Sequence, residues 1–373
     1  PFRKDYDESL NPLRMTNEEP DDATHRFEEL PDGSVIEKRE VLFDQDEYII
    51  NIGPQHPATH GVLRFRVSLE GEIIKKLDVH CGYIHRGIEN MCENLTYPQT
   101  LGLTDRLDYL AAHHNRHALC MCIENAMGIE VSERVQYIRT IMDELQRIDS
   151  HLLFFSCLCM DLGALTAFFY GFRDREKILD IFEATTGGRL IQNYNTIGGV
   201  QYDIAPDFVK KVKEFIAWLR PTLREYHEVF TGNIIAHGRL EGVGILSRED
   251  AISFGATGGT GRASGWACDV RKRHPYAMYG KVDFKEIVRT EGDSFARYMV
   301  RMEEIVESMN IIEQLIDNIP EGPFQEKTKA IIKVPEGSYY AAVEGSRGEF
   351  GVFLESRGDK YPYRLKFRST GLP

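Results

Sequence analysis

Residues Gly53-Pro54-Gln55-His56-Pro57-Ala58-Thr59-His60-Gly61 put two glycines, two prolines and two histidines into nine positions. Glycine reaches backbone conformations closed to other residues, and proline fixes φ and removes an N–H donor, so this stretch has to turn. It stands between two strand-like runs, Tyr48–Ile52 and Val62–Leu69. His56 and His60 are therefore held on a stiff loop rather than on a mobile tip. Imidazole exchanges protons near neutral pH. The loop fits a redox or proton-transfer site, and it also fits a hairpin whose histidines satisfy local hydrogen bonds.

The rest of the chain sorts by period. Residues 1–45 are polar and charged, with Asn17-Glu18-Glu19-Pro20-Asp21-Asp22 reading as an extended arm or linker. Residues 46–80 alternate around the turn Glu70-Gly71-Glu72 and predict a three-strand antiparallel meander. Residues 81–330 predict a helical core, with helices over Gly82–Asn94, Pro98–Met127, a long one after an N-cap at Ser132, Asp174–Thr185, Pro206–Phe230 and Asp293–Ile319. Gly187-Gly188, Gly198-Gly199 and Thr257–Gly265 separate them. Residues 331–373 return to strands, with a turn at Gly345–Gly348. The expected fold class is α+β, mainly α: a helical bundle flanked by β structure at both ends.

Composition narrows the function classes. A formal net charge of −13 argues against nucleic acid, which needs a basic face. No run approaches the ~18 apolar residues of a membrane-spanning helix. Seven cysteines, an odd number, suggest reduced thiols. Cys120-x-Cys122 and Cys157-x-Cys159 fall in helical patterns, where positions i and i+2 point about 200° apart, so neither pair closes on one metal.

Three further stretches carry candidate chemistry. Asp161 lies in an apolar stretch near the end of the long helix, where a carboxylate has to be paired or shifted in pKa. It reads either as a helix-end aspartate bonded to backbone or as a partner for a distant histidine. Leu103-Thr104-Asp105-Arg106-Leu107-Asp108-Tyr109-Leu110 interleaves charge with apolar residues, and His113, His114 and His117 follow it. His113 and His117 share a helix face, but the glutamate of an H-E-x-x-H zinc site is replaced by His114. Thr257–Gly265 lacks the Gly-Lys-Ser/Thr ending of a phosphate loop and reads as a tight structural loop.

Taken together the motifs resemble one family. Gly53–Gly61, Gly82–Glu89 (GYIHRGIE), Thr104–Leu110 (TDRLDYL), Glu144–Leu152 (ELQRIDSHL), Asp161–Phe172 (DLGALTAFFYGF), Ile197–Val200 (IGGV), Arg262–Lys272 (RASGWACDVRK) and Glu344–Phe353 (EGSRGEFGVF) are similar, in this order, to the quinone-site D subunit of respiratory complex I. That family has the helical-bundle core of the nickel–iron hydrogenase large subunit. The resemblance implies that His60 hydrogen-bonds a quinone headgroup, that Asp161 pairs with it, and that the pair delivers a proton to reduced quinone. It implies supporting positions for His56, Arg106 and Met160 at the quinone, and for Arg86 beside a terminal 4Fe-4S cluster. That cluster belongs to the adjacent B subunit and is not ligated by this chain. The implied partners are the B, C and I subunits and the membrane-arm H and A subunits, on the cytoplasmic side of a bacterial inner membrane. The implied quinone is menaquinone or ubiquinone, and the donor is NADH, a ferredoxin or a flavodoxin. The hydrogenase relatives carry R-x-C-G-x-C where this chain has Arg106–Ala111, with Asp108 and Ala111 at the cysteine positions, so no nickel–iron centre is expected.

The chain departs from the family pattern in three places. Leu103 stands where many members have a tyrosine that donates to the second quinone oxygen. Leu190-Ile191-Gln192 stand where a histidine lies close to the terminal cluster, and Thr196 replaces an arginine. Losing one positive charge at ~10 Å in an effective dielectric of ~20 is worth roughly 1.7 kcal/mol, on the order of 70 mV, which suits a low-potential cluster and menaquinone. Pro1-Phe2-Arg3-Lys4-Asp5-Tyr6 resembles the tail of the C subunit, so the chain is expected to be the later part of a fused C–D polypeptide. At the other end, a further segment is expected after Arg364–Arg368. A non-catalytic scaffold homologue is the alternative that Leu103 and Ile191 keep open.

Overall fold

The computed structural model describes Ala23–Glu29, Val35–Val41 and residues 48–370. The described residues fall into two compact units, one ending at His85 and one starting at Arg86. Part of the expected arm, including residues 1–22 with the Pro1–Tyr6 segment, lies outside the described residues.

In the first unit, β1 (Ala23–Glu29) and β2 (Val35–Val41) pair antiparallel from Ala23↔Val41 to Glu29↔Val35. This part of residues 1–45 is therefore a ladder and not the linker that its polarity suggests. Strands β3 (Tyr48–Ile52), β6 (Arg64–Glu70) and β7 (Ile73–His80) form the expected meander in the order β3-β6-β7. Between β3 and β6 the chain makes a second, smaller ladder from β4 (Gln55–His56) and β5 (Gly61–Val62).

The second unit is built around one helix. The elements run α1 (Ile88–Cys92), α2 (Tyr97–Thr104), α3 (Ala112–Met127), α4 (Glu133–Asp161) and α5 (Leu165–Thr186). A short hairpin of β8 (Asn195–Thr196) and β9 (Gly199–Val200) follows. Then come α6 (Phe208–Tyr226), α7 (Ile234–Leu240), α8 (Arg248–Ser253), α9 (Gly258–Ala263), α10 (Val270–Arg273) and α11 (Ser294–Leu315). An antiparallel sheet of β10 (Gly337–Gly345), β11 (Gly348–Ser356) and β12 (Arg364–Arg368) ends the unit.

Ser132 caps α4 as expected: its hydroxyl oxygen accepts the Val135 N–H at 3.3 Å. Along α4, Val135, Ile138, Met142, Leu145, Ile148, Leu152 and Phe155 are fully buried. So are Asp143, Glu144, Arg147 and Asp149 on the same helix. A helix buried around most of its circumference is a central one, and α3, α5 and α11 pack around it. At the α4–α5 crossing a side chain on Gly171 would put its Cβ 2.1 Å from Ser156 Oγ, so glycine is what lets the two helices approach.

Several elements differ from the sequence reading. The single helix expected over Pro98–Met127 is two, because Asp105–Ala111 breaks it. The Asp108 carboxylate accepts the Leu110 N–H at 3.2 Å, and Asn115 Nδ2 donates to the Thr104 and Asp108 carbonyls. Side chains thus take the backbone groups that a continuous helix would use. Helix α1 covers only the last part of Gly82–Asn94. Thr257–Gly265 is not a loop throughout: Gly258–Ala263 is helical and mostly buried.

Candidate functional site

The histidine loop is built by its own backbone. A Cβ on Gly53 would sit 1.9 Å from the Leu63 carbonyl oxygen, and Gly53 has φ +97°, so only glycine fits where the loop leaves β3. Gln55↔Val62 and His56↔Gly61 pair across its base. Inside, the Thr59 hydroxyl lies 2.9 Å from both the His56 and the Gly61 carbonyl oxygens and donates to one or the other. The His60 N–H donates to Pro57 O at 3.3 Å. His60 takes φ +47°, the left-handed region, which is uncommon outside glycine and costs energy unless the surroundings hold it. Below the loop, the Arg64 guanidinium grips Asn51 Oδ1 at 2.9 and 2.8 Å. His56 and His60 are both exposed. The loop spends strain and local hydrogen bonds on presenting the His60 imidazole outward.

The remaining candidate residues lie in the second unit. Asp161 is the last residue of α4 and is exposed, contrary to the buried position that its apolar neighbours suggest. A carboxylate at a helix C-terminus opposes the helix dipole. Its field reaches the Cys157 thiol, which burial first and Asp161 second push up. Met160, beside it, is half-buried. Arg86 is exposed, and Arg106 follows α2 and donates to the Gly102 carbonyl.

The position expected to have lost a nickel ligand is filled by an ion pair. Asp108 accepts from Arg347 Nη1 at 2.6 and 2.5 Å. Leu103 packs at the edge of the core. Cys120, Cys122 and Cys159 are buried, with their thiols pushed up to about 12 by burial. Among the described residues no group of three or more histidine, cysteine, aspartate or glutamate side chains is placed to hold a metal ion. His113 and His114 are buried instead, and burial pushes them down to about 4 and about 3, so both are neutral. His117 Nδ1 lies 2.6 Å from Asp143 Oδ2.

What the sequence reading missed is a buried charge network that joins the motifs. Glu144, from ELQRIDSHL, accepts from Arg271 at 3.0 Å, Tyr279 at 2.6 Å and Ser308 at 2.6 Å. Arg147 donates to the Gly345 and Glu344 carbonyls at 2.9 and 2.7 Å. Arg262 donates to the Glu344 carboxylate at 2.7 Å and to Glu304, which also bonds His151 Nε2 at 2.8 Å. Arg271 holds Asp269 at 2.6 Å. The one available signal was several charged residues recurring on helices too long to be wholly exposed.

Two buried carboxyls titrate near neutrality. Burial raises Asp105 to about 6 against the pull of Arg116, and raises Asp149 to about 6 against Arg175. Hydrogen bonds lead from one towards the other. The Asn193 N–H donates to Asp105 at 3.0 Å, the neighbouring Gln192 donates to Gln146 at 3.3 Å, and Gln146 donates to Asp149 at 3.1 Å.

Comparison with known proteins places these features in a family. Residues 161–333 and 326–373 match the family model described as respiratory-chain NADH dehydrogenase, 49 Kd subunit. The whole chain is 88% identical to 72% of the C/D subunit of the Phocaeicola vulgatus NADH-quinone oxidoreductase. Over 88% of its length it is 46% identical to 90% of the D subunit of the Geobacillus kaustophilus NADH-quinone oxidoreductase. Among solved structures, a chain of the membrane-bound sulfane sulfur reductase, an archaeal respiratory membrane complex, superposes with a TM-score of 0.84 at 34% identity, covering 88% of this chain and 89% of that one.

Proposed function

Because this chain belongs to the family of the 49 kDa subunit of respiratory-chain NADH dehydrogenase, we propose that it is the quinone-reducing subunit of a proton-pumping oxidoreductase. The observation that carries this is the His60 loop: a strained, internally bonded turn that presents an exposed imidazole. Reducing a quinone to a quinol takes two electrons and two protons. The electrons come from a partner subunit that carries the terminal iron–sulfur cluster. This chain's share is one of the two protons, delivered from the protonated His60 imidazole to a quinone oxygen, and the second proton is taken up from water. Asp161 orients that imidazole and stabilises its charged form.

On this reading His56 shapes the loop, Arg106 and Met160 border the quinone, and Arg86 faces the cluster-bearing B subunit. The C, I, H and A subunits complete the surroundings at the cytoplasmic side of the membrane. No helix among the described residues is long and apolar enough to cross a membrane, which fits a peripheral arm. Exposed Ile73, Leu77 and Val79 alternate along β7 and give a partner subunit an apolar strip to cover. With Leu103 in place of a donor, the quinone is held chiefly from the histidine loop, and menaquinone is its type. The sulfane sulfur reductase is the more distant relative, and the C/D and D subunits named above favour quinone.

The test is quinone reduction by the assembled complex carrying His60→Ala or Asp161→Asn, assayed with menaquinone and ubiquinone analogues. We expect each variant to lose at least about 100-fold, the usual worth of a positioned general acid, with the complex still assembled. Wild-type rates in either variant would remove the proton-delivery role. Faster turnover of the ubiquinone analogue by the parent complex would remove menaquinone.

A further inference from the structure

Gly255, Ala256 and Thr257 ahead of α9, Thr260 on α9, Arg347 in the turn between β10 and β11, and Arg368, Ser369 and Thr370 at the end of β12 line a cavity of about 70 Å³. One water needs roughly 10–15 Å³ of such space, so there is room for a group of several heavy atoms. The lining contains no carboxylate and no apolar side chain larger than alanine. A quinone ring, which wants apolar walls, does not suit it.

The lining has more donors than acceptors. Arg368 gives Nη1 to the Glu349 carbonyl at 2.5 Å and Nη2 to the Gly255 carbonyl at 2.8 Å. Its partners are neutral oxygens, and it makes no ion pair among the described residues, so its charge is unmatched. Arg347 uses Nη1 alone on Asp108. Its Nε and Nη2 have no partner among the described residues. Thr257 Oγ1 accepts the Glu349 N–H at 3.1 Å, which leaves its own proton to donate. The hydroxyls of Thr260 and Thr370 have no partner among the described residues.

We propose that this cavity is a binding site for a phosphate group, held by Arg347 and Arg368 with the hydroxyls of Thr257, Thr260 and Thr370. Planar guanidinium forks match phosphate oxygens two at a time, and charge-assisted bonds of this kind are the strong ones. Tetrahedral geometry lets one ligand face two arginines and a set of hydroxyls together. The group is either a free phosphate or the headgroup of an anionic phospholipid.

The test uses the intact purified complex that contains this subunit, with Arg368→Gln and Thr260→Val as variants. Thr260→Val leaves every carbonyl contact of Arg368 in place, so it remains informative even if Arg368→Gln does not assemble. In the first arm, uptake of radiolabelled inorganic phosphate is measured by equilibrium dialysis. The parent is expected to bind one phosphate per complex that Arg368→Gln lacks, and Thr260→Val to bind it about tenfold more weakly, the worth of one bond to a charged group. In the second arm, the complex is imaged in phosphatidylglycerol and in phosphatidylcholine nanodiscs. Headgroup density between Arg347 and Arg368 in the former alone identifies a lipid as the source. Equal phosphate uptake by the parent and Thr260→Val, together with no headgroup density in either lipid, overturns the proposal.

Discussion

His114 has no hydrogen-bond partner for either ring nitrogen among the described residues, and His113 is in the same position against Phe182 and Tyr194. Burial, not bonding, governs their protonation, as it governs His151 beside Glu304, which it holds down at about 4. For such a histidine the unfolded chain is the better proton binder. Its contribution to stability is present above a pH of about 6.5 and is lost as pH falls through the folded value. Asp105 and Asp149 act in the opposite sense, because a carboxyl raised to about 6 contributes below a pH of about 4 and loses that contribution as pH rises through 6. The two groups therefore pull the pH dependence in opposite directions across the same window. Urea unfolding at pH values from about 4.5 to 6 separates them. His114→Gln should lower the slope of stability against pH by about 1.4 kcal/mol per unit, one proton's worth, and Asp149→Asn should raise it by about as much. If both variants show the parent slope, these groups do not titrate where burial puts them.

At the scale of the element, periodicity made α4 and α11 legible, and the Ser132 cap fell where a short polar residue precedes a helical run. The break at Asp105–Ala111 was not legible, because it depends on Asn115 and Arg347 bonding to that segment, and Arg347 is distant in sequence. The burial of α4's charges was hidden for the same reason: their partners come from α3, α5, α10, α11 and β10. The motif loop around His60 could be read as a stiff turn, but its left-handed histidine and its internal threonine bond could not. A contact visible only in three dimensions also sets the spacing of α4 and α5. Gly171→Ala drives a methyl to 2.1 Å from Ser156 Oγ and 3.1 Å from the Leu152 carbonyl oxygen. Overpacking of this kind costs about 1–3 kcal/mol. Adding Ser156→Ala removes the closest atom, so the double variant should regain most of the loss in thermal unfolding. Losses that simply add would show that the helices do not meet at this point.

Across the second unit, the buried network holds elements together that share no hydrophobic pattern. Arg262 on α9 reaches Glu304 on α11 and Glu344 on β10, Arg271 on α10 reaches Glu144 on α4, and Arg147 on α4 reaches the backbone of β10. Three arginines face the carboxyls of Glu144, Asp269, Glu304 and Glu344, so one negative charge is in excess. The tendency of Glu344 to hold its proton, driven first by burial and opposed by Arg262, offsets it. Exchanging such a network for apolar side chains is often neutral, whereas removing one partner strands the others at a cost of about 3–5 kcal/mol. Arg262→Met should therefore take away the guanidinium that Glu304 and Glu344 both bond and lower thermal stability by several degrees. The triple variant Arg262→Met, Glu304→Gln, Glu344→Gln should recover at least half of that loss, since the penalty comes from unpaired charge and not from the missing guanidinium volume. A triple variant no more stable than Arg262→Met would mean that Arg262 acts through packing and its geometric role between α11 and β10. The network would then be a consequence of this fold and not one of the things that select it.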